Sequence, residues 1–201
     1  MPRVRAADYD EKVQQICDEA ARLFATSGYP AARMAEIADA CGVSKSMLYH
    51  YFPTKDDVLF YMIRDHLEQV IDVLETMGTE GDLDPREALR SFVLAFLERS
   101  ALARQRNVVA MNDAKYLSPE KREIIRQLER RIVALIAERL RPLNDDIPDA
   151  LLTPFTFFLL GILNWTDSWY RPDGSIAPAE LADHATRVFL DGFVNLRPQG
   201  A

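Results

Sequence analysis

The sequence predicts an all-α protein, with a small group of three short helices over residues 1–55 joined to a longer helical part over 56–201. Three observations carry this. Apolar residues recur at i, i+3, i+4 spacing through most of the chain. No stretch alternates convincingly as a strand does. Glycine occupies only 8 of 201 positions. Hydrophobic content of 48% and charged content of 27% are ordinary for a globular chain of this length, which has ample material for a buried core.

The first helix is expected from about Asp10 to Thr26, with Val13, Ile16, Cys17, Ala20, Leu23 and Phe24 as its apolar stripe. Asp8, Asp10 and Glu11 suit the positive end of its dipole. Met1 to Ala7 reads as a loose basic arm carrying Arg3 and Arg5. Gly28 ends the helix.

Arg33 to Lys55, RMAEIADACGVSKSMLYHYFPTK, is the stretch around which the rest of the chain is organised. Ile37, Ala38 and Cys41 give Met34 to Ala40 a small apolar face. Gly42 sits where a helix ends, because glycine enters the left-handed region without a Cβ penalty. Val43 returns to the core, and Ser44 is placed to cap the next helix by accepting a backbone N–H. That helix, Lys45 to Tyr51, stops before Pro53, since the residue ahead of a proline is pushed out of the α region. Leu48 and Phe52 face inward, which leaves Lys45, Ser46, Met47, Tyr49 and His50 outside. A solvated helix face rarely displays a Tyr-His pair beside Lys, Ser and Met, whereas a helix entering a DNA major groove often does. An ordinary helical hairpin with exposed aromatics is the alternative reading of this stretch alone.

Thr54 opens a fourth helix, with Asp57 three residues on as a capping-box partner. Lys55 lies at its N-terminus, where an ammonium and free backbone N–H groups suit a phosphate. The helix continues to about Met77, and Gly78 to Gly81 closes it. Further helices are expected over about Pro85–Ala103, Gln105–Lys115, Pro119–Leu140, Pro148–Tyr170 and Pro178–Leu196. Pro119 takes a first helical position, Pro142 stops the helix that ends at Leu140, and Arg171-Pro172-Asp173-Gly174 is a turn by composition.

Net charge is −7, but residues 1–55 hold seven basic and seven acidic side chains, so the whole excess of acid lies beyond them. That confines polyanion contact to the neutral head. Cys17 and Cys41 fall on apolar helix positions and read as small buried hydrophobes in a reducing cytoplasm. The longest apolar run, Phe155 to Leu163, is well short of the roughly twenty residues of a membrane span, so no membrane partner is expected. No GxSxG, HExxH or glycine-rich phosphate loop is present, and His50, His66 and His184 are scattered. Neither an enzyme, nor a metal site, nor a cofactor is expected.

ICDEAARLFATSGYP and, after it, MAEIADACGVSKSMLYHYFPTKDDVL resemble the N-terminal domain of the TetR family of bacterial repressors, over roughly residues 12–60. The resemblance implies a three-helix helix-turn-helix DNA-binding domain (1–55) and a helical effector-binding and dimerisation domain (56–201). It implies a double-stranded DNA operator, bound by a homodimer, as the partner. Its DNA-binding residues here would be Arg33, Ser44, Lys45, Ser46, Met47, Tyr49, His50 and Lys55. Two departures stand out. Ala32-Arg33 replaces the family's usual hydroxyl pair, so the customary cap of the second helix is missing and Arg33 is offered as a phosphate contact instead. Ser46-Met47 departs from the family's small residue, so base preference does not carry over.

For the body, the resemblance implies a subunit interface on the last two helices, for which Phe155, Leu159, Leu163, Phe189 and Phe193 are candidates. An intramolecular core accounts for them almost as well. Trp165 and Trp169, one turn apart beside Asn164, offer an apolar wall with a polar handle for an effector. Met111, Asn112 and Tyr116 add a second mixed surface, with Phe92 and Phe96 as apolar lining. Core filling is the competing account of these aromatics. NDAKYLSPEKR and NWTDSWYRPDG are similar to a TetR branch that controls lipid, steroid or aromatic-acid degradation and answers to acyl-coenzyme A thioesters, with Arg90, Arg104 and Arg106 as candidates for a basic mouth. A multidrug sensor taking hydrophobic or cationic compounds through Asp113 or Asp167 is the alternative.

Overall fold

The computed structural model describes residues 2–77 and 84–195, and among them it is built from α-helices with no strand. The helices are α1 (Pro2–Ser27), α2 (Met34–Ala40), α3 (Lys45–Tyr51), α4 (Lys55–Met77), α5 (Pro85–Asp113), α6 (Pro119–Leu140), α7 (Asp149–Trp169) and α8 (Pro178–Phe193). Short 3-10 turns at Ala114–Tyr116 and Arg141–Leu143 come after α5 and α6.

Most expected boundaries are met to within a few residues. The exception is α1, which begins at Pro2, so the backbone of the expected loose arm is helical. Proline at a first helical position has its φ preset and lacks only an amide that would have no partner there. The two helices expected over 85–115 meet where the sequence places their boundary, at Ala103, whose non-helical backbone (φ −107, ψ 17) kinks α5 into two helical segments. Gly78, Gly81, Leu196 and the side chains of Arg3 and Arg5 lie outside the described residues.

The chain divides into two compact units, Met1–His66 with Gln105–Arg126, and Leu67–Arg104 with Gln127–Ala201. The expected division after residue 55 therefore falls inside the first unit, which also takes in a distant segment. The first unit closes on Ile16, Cys17 and Phe24 of α1, Ile37 of α2, Leu48 of α3 and Leu59, Met62 and Ile63 of α4. Val109, Leu117 and Ile125 from the distant segment are equally buried. Both cysteines are free and buried here, and burial pushes the Cys17 thiol up to about 12, which leaves it an inert apolar filler.

The core of the second unit runs through Leu74, Leu89, Phe92, Val93, Leu97, Ile136, Leu140, Leu159, Leu163, Phe189 and Phe193. Two polar ties finish it. Buried Asn144 donates to the Phe193 carbonyl at 2.8 Å, and the Tyr170 hydroxyl donates to the Ile176 carbonyl at 3.0 Å across the Arg171–Gly174 turn.

Candidate nucleic-acid interface

Gly42 adopts φ +64 immediately after α2, and the Val43 N–H donates back to the Ala38 carbonyl at 3.0 Å, which closes the turn. Ser44 then sits at the N-cap of α3 in extended backbone (φ −68, ψ 152), and its hydroxyl accepts from the Met47 N–H at 3.1 Å. Leu48 is wholly buried and Phe52 nearly so, which fixes the rotation of α3 about its axis. With that face inward, Lys45, Ser46, Met47, Tyr49 and His50 are all exposed, as their spacing predicts. The Tyr51 ring lies against Tyr9 of α1, centroids 4.9 Å apart, bracing the C-terminal end of α3.

Arg33 is the N-cap of α2, and its side chain is exposed. The hydroxyl cap being absent, the remaining half of the capping exchange operates, with the Glu36 carboxylate accepting from the Arg33 backbone N–H at 2.8 Å.

Lys55 is placed differently from expectation. Its ammonium donates to the carbonyls of Tyr29, Ala32 and Pro30 at 2.7, 2.8 and 3.3 Å and stands 4.4 Å above the Tyr29 ring. An ammonium has three donors, and all three are engaged inside the protein. Burial pushes this ammonium down from its usual range. Lys55 thus pins the α1–α2 link to the start of α4. Beside it, Thr54 donates to Asp57 at 2.7 Å and accepts from the Asp57 N–H at 3.1 Å, the expected cap of α4.

The residues expected to hold an effector are divided between the units. Met111, Asn112 and Tyr116 belong to the first, where Tyr116 stacks on Tyr29 with centroids 5.3 Å apart. Phe92, Phe96, Asn164, Trp165 and Trp169 belong to the second. Phe92 is core, with Phe96 edge-on to it at 6.0 Å. Trp165 and Trp169 stand outward on α7, 70% and 50% exposed. Arg90 is paired with Asp183, and Arg106 with Asp18 and Asp65.

The residues offered for a subunit interface lie as follows. Leu159, Leu163, Phe189 and Phe193 are buried within the second unit, and half-buried Phe155 packs on Phe193 at 5.1 Å, so these five serve the chain's own core. The outward face of α7 carries Leu151, Phe158, Ile162, Trp165 and Trp169, at i, i+7, i+11, i+14 and i+18. A helix apolar all round gives no sequence sign of which face turns inward. Among the described helices α7 is also the one long and apolar enough to cross a membrane by length and composition. No group of three His, Cys, Asp or Glu side chains suited to a metal gathers among the described residues.

A capped, outward-facing short helix after a glycine turn, on an all-helical chain with a second helical unit, defines a helix-turn-helix DNA-binding protein. The family model "Bacterial regulatory proteins, tetR family" matches residues 16–62, and "Tetracyclin repressor-like, C-terminal domain" matches residues 82–193. The chain belongs to the TetR family of transcriptional regulators, which are DNA-binding factors and not enzymes. It is similar to the HTH-type transcriptional repressor KstR2 of Rhodococcus jostii RHA1, 25% identical over 187 residues and 90% of each chain. The crystal structure of a TetR-family regulator from Bordetella parapertussis 12822 superposes with a TM-score of 0.84 at 33% identity, covering 92% of this chain and 96% of the other. The fold is shared also with AibR, crystallised with isovaleryl coenzyme A and operator DNA, at a TM-score of 0.72 and 24% identity over 88% and 97% of the two chains.

Proposed function

We propose that the protein is a homodimeric repressor that presents two α3 helices to a palindromic operator and releases it on binding a hydrophobic effector. The observation that carries this is α3 itself. Its Lys45, Ser46, Met47, Tyr49 and His50 are exposed together on a helix held at both ends, and Arg33 is exposed beside it. Side chains of this kind meet base edges and phosphates in a major groove. A two-fold dimer spaces two such helices by about 34 Å, one turn of DNA. The outward face of α7 supplies the surface for a second copy, since exposed apolar stripes of this size mark interaction sites.

An acyl-coenzyme A thioester is the effector class we favour. Support comes from the two sequence segments shared with the thioester-responsive branch and from the AibR complex with isovaleryl coenzyme A. A cationic compound is the second reading, favoured by Asp113, a buried side chain whose carboxyl burial pushes up and which a bound cation would relieve.

Fluorescence anisotropy on duplex DNA from immediately upstream of the gene tests both, with thioesters, their free acids and cationic dyes titrated in. Release by a thioester and not by its acid is the expected result. Release by dyes alone transfers the effector class to the second reading, and absence of salt-dependent binding to any duplex overturns the repressor.

A further inference from the structure

Arg106 lies on α5, three residues beyond the irregular turn at Ala103, and is only 7% exposed. Its Nε and Nη2 donate to Asp18 of α1 at 2.9 and 2.8 Å, and its Nη1 to Asp65 of α4 at 2.8 Å. Nη2 also donates to the Gln14 side-chain oxygen at 2.7 Å, while the Gln14 amide donates to Asp65 at 3.3 Å. The planar guanidinium has five donors in a rigid fork, and here the fork spans α1 and α4, with the Gln14 amide bonding across beside it. Further along the same segment, Lys121 donates to Asp56 at 2.5 Å and Asp57 at 2.6 Å, at the first turn of α4.

The charge pattern agrees with this geometry. Residues 1–66 carry eight basic and ten acidic side chains, and residues 105–126 carry five basic and three acidic, so the segment cancels the excess acid of the part it packs into. The carboxylates it takes up, Asp18, Asp56, Asp57 and Asp65, would otherwise add to the repulsion of a polyanion. Only Phe52 to Thr54 separates α3 from α4, so whatever sets α4 against α1 also sets the recognition face.

We propose that Gln105–Arg126 is a working part of the DNA reader, and that Arg106 is a positioning residue that holds α1 and α4 at the separation at which α3 fits its operator. The proposal rests on the DNA-binding reading above. Arg106 touches no DNA in it. Its loss therefore removes the discrimination between operator and other sequences, while the phosphate attraction common to all DNA survives.

The test uses the full-length protein and two duplexes of equal length, one enriched from a random pool by the parent protein and one with that sequence scrambled. Arg106→Gln, Arg106→Lys and Asp18→Asn are compared with the parent at one salt concentration, and the folded fraction of each is set by circular dichroism. Arg106→Gln is expected to lose at least tenfold on the enriched duplex and less than twofold on the scrambled one. Arg106→Lys, which keeps the charge but cannot bridge both carboxylates, should fall between. Asp18 has a 68% exposed side chain, so Asp18→Asn tests one arm of the bridge in a folded protein should Arg106→Gln fail to fold. A loss of about threefold, confined to the enriched duplex, is expected for it. Folded variants that keep the parent's preference overturn the positioning role. A parent that enriches no duplex overturns the DNA-binding reading and this proposal together.

Discussion

Replacing Trp165 with glutamate separates the proposed α7 interface from the one the sequence suggested. Trp165 is 70% exposed on α7. A tryptophan buries up to about 250 Å², so roughly 175 Å² of it is open in the single chain. Covered by a second copy at about 25 cal/mol per Å², that surface contributes at most about 4 kcal/mol per protomer, and a symmetric interface counts it twice. A tenfold change in dissociation constant corresponds to about 1.4 kcal/mol. With about half of that surface covered, Trp165→Glu should weaken association by about three orders of magnitude, and a carboxylate facing an apolar partner adds its own desolvation cost. The thermal stability of the isolated chain should hardly change, because the side chain supports little of its own core. Phe193→Ala, by contrast, removes a ring that is 1% exposed and should cost about 3–5 kcal/mol of folding stability. Sedimentation velocity across nanomolar to micromolar concentration reads the first effect, and thermal unfolding reads the second. A Trp165→Glu protein that dimerises as tightly as its parent refutes the α7 face as the interface.

Two further outcomes concern groups at the start of α4. Lys55→Ala strips a charge from three carbonyls and should cost about 2 kcal/mol of stability, yet leave the salt dependence of DNA binding unchanged. A phosphate-bound lysine would instead lower the slope of log affinity against log salt by about one when removed. Asp57 has its carboxyl held below the usual range by hydrogen bonds from Lys121 and then Thr54. A group with a depressed folded pKa contributes stability above its unfolded value and loses it as pH falls through the folded one. The stability gap between the parent and Lys121→Met should therefore be constant near neutrality and close as pH drops below about 4, the ordinary carboxylate value. A gap that persists into strong acid, read by thermal melts across pH, would show that the ion pair is not its source.

Local chemistry was legible in the order of residues, and long-range partnership was not. Gly42, Ser44 and Pro53 act on backbone within a few residues of themselves, so turn, cap and stop are written where they occur, and the outward set on α3 is given by helical spacing once Leu48 and Phe52 are recognised as inward. The effector and interface assignments lacked such anchors. In α7 nearly every turn is apolar, and only the packing of Leu159 and Leu163 against α8 decides that Trp165 and Trp169 point away. The basic side chains of 105–126 hinted at partners, but nothing local names Asp18 or Asp65, 88 and 41 residues away from Arg106 in sequence.

By itself, then, the sequence determined an all-helical chain, its helix-turn-helix and the residues that turn exposes, because these depend on propensities and periods that operate over one or two helical turns. Only the tertiary structure decided that Gln105–Arg126 joins the first unit, that Lys55 is spent on carbonyls, and which face of α7 is open. Each of those turns on where distant charges and apolar faces meet, and that is set by packing the whole chain at once.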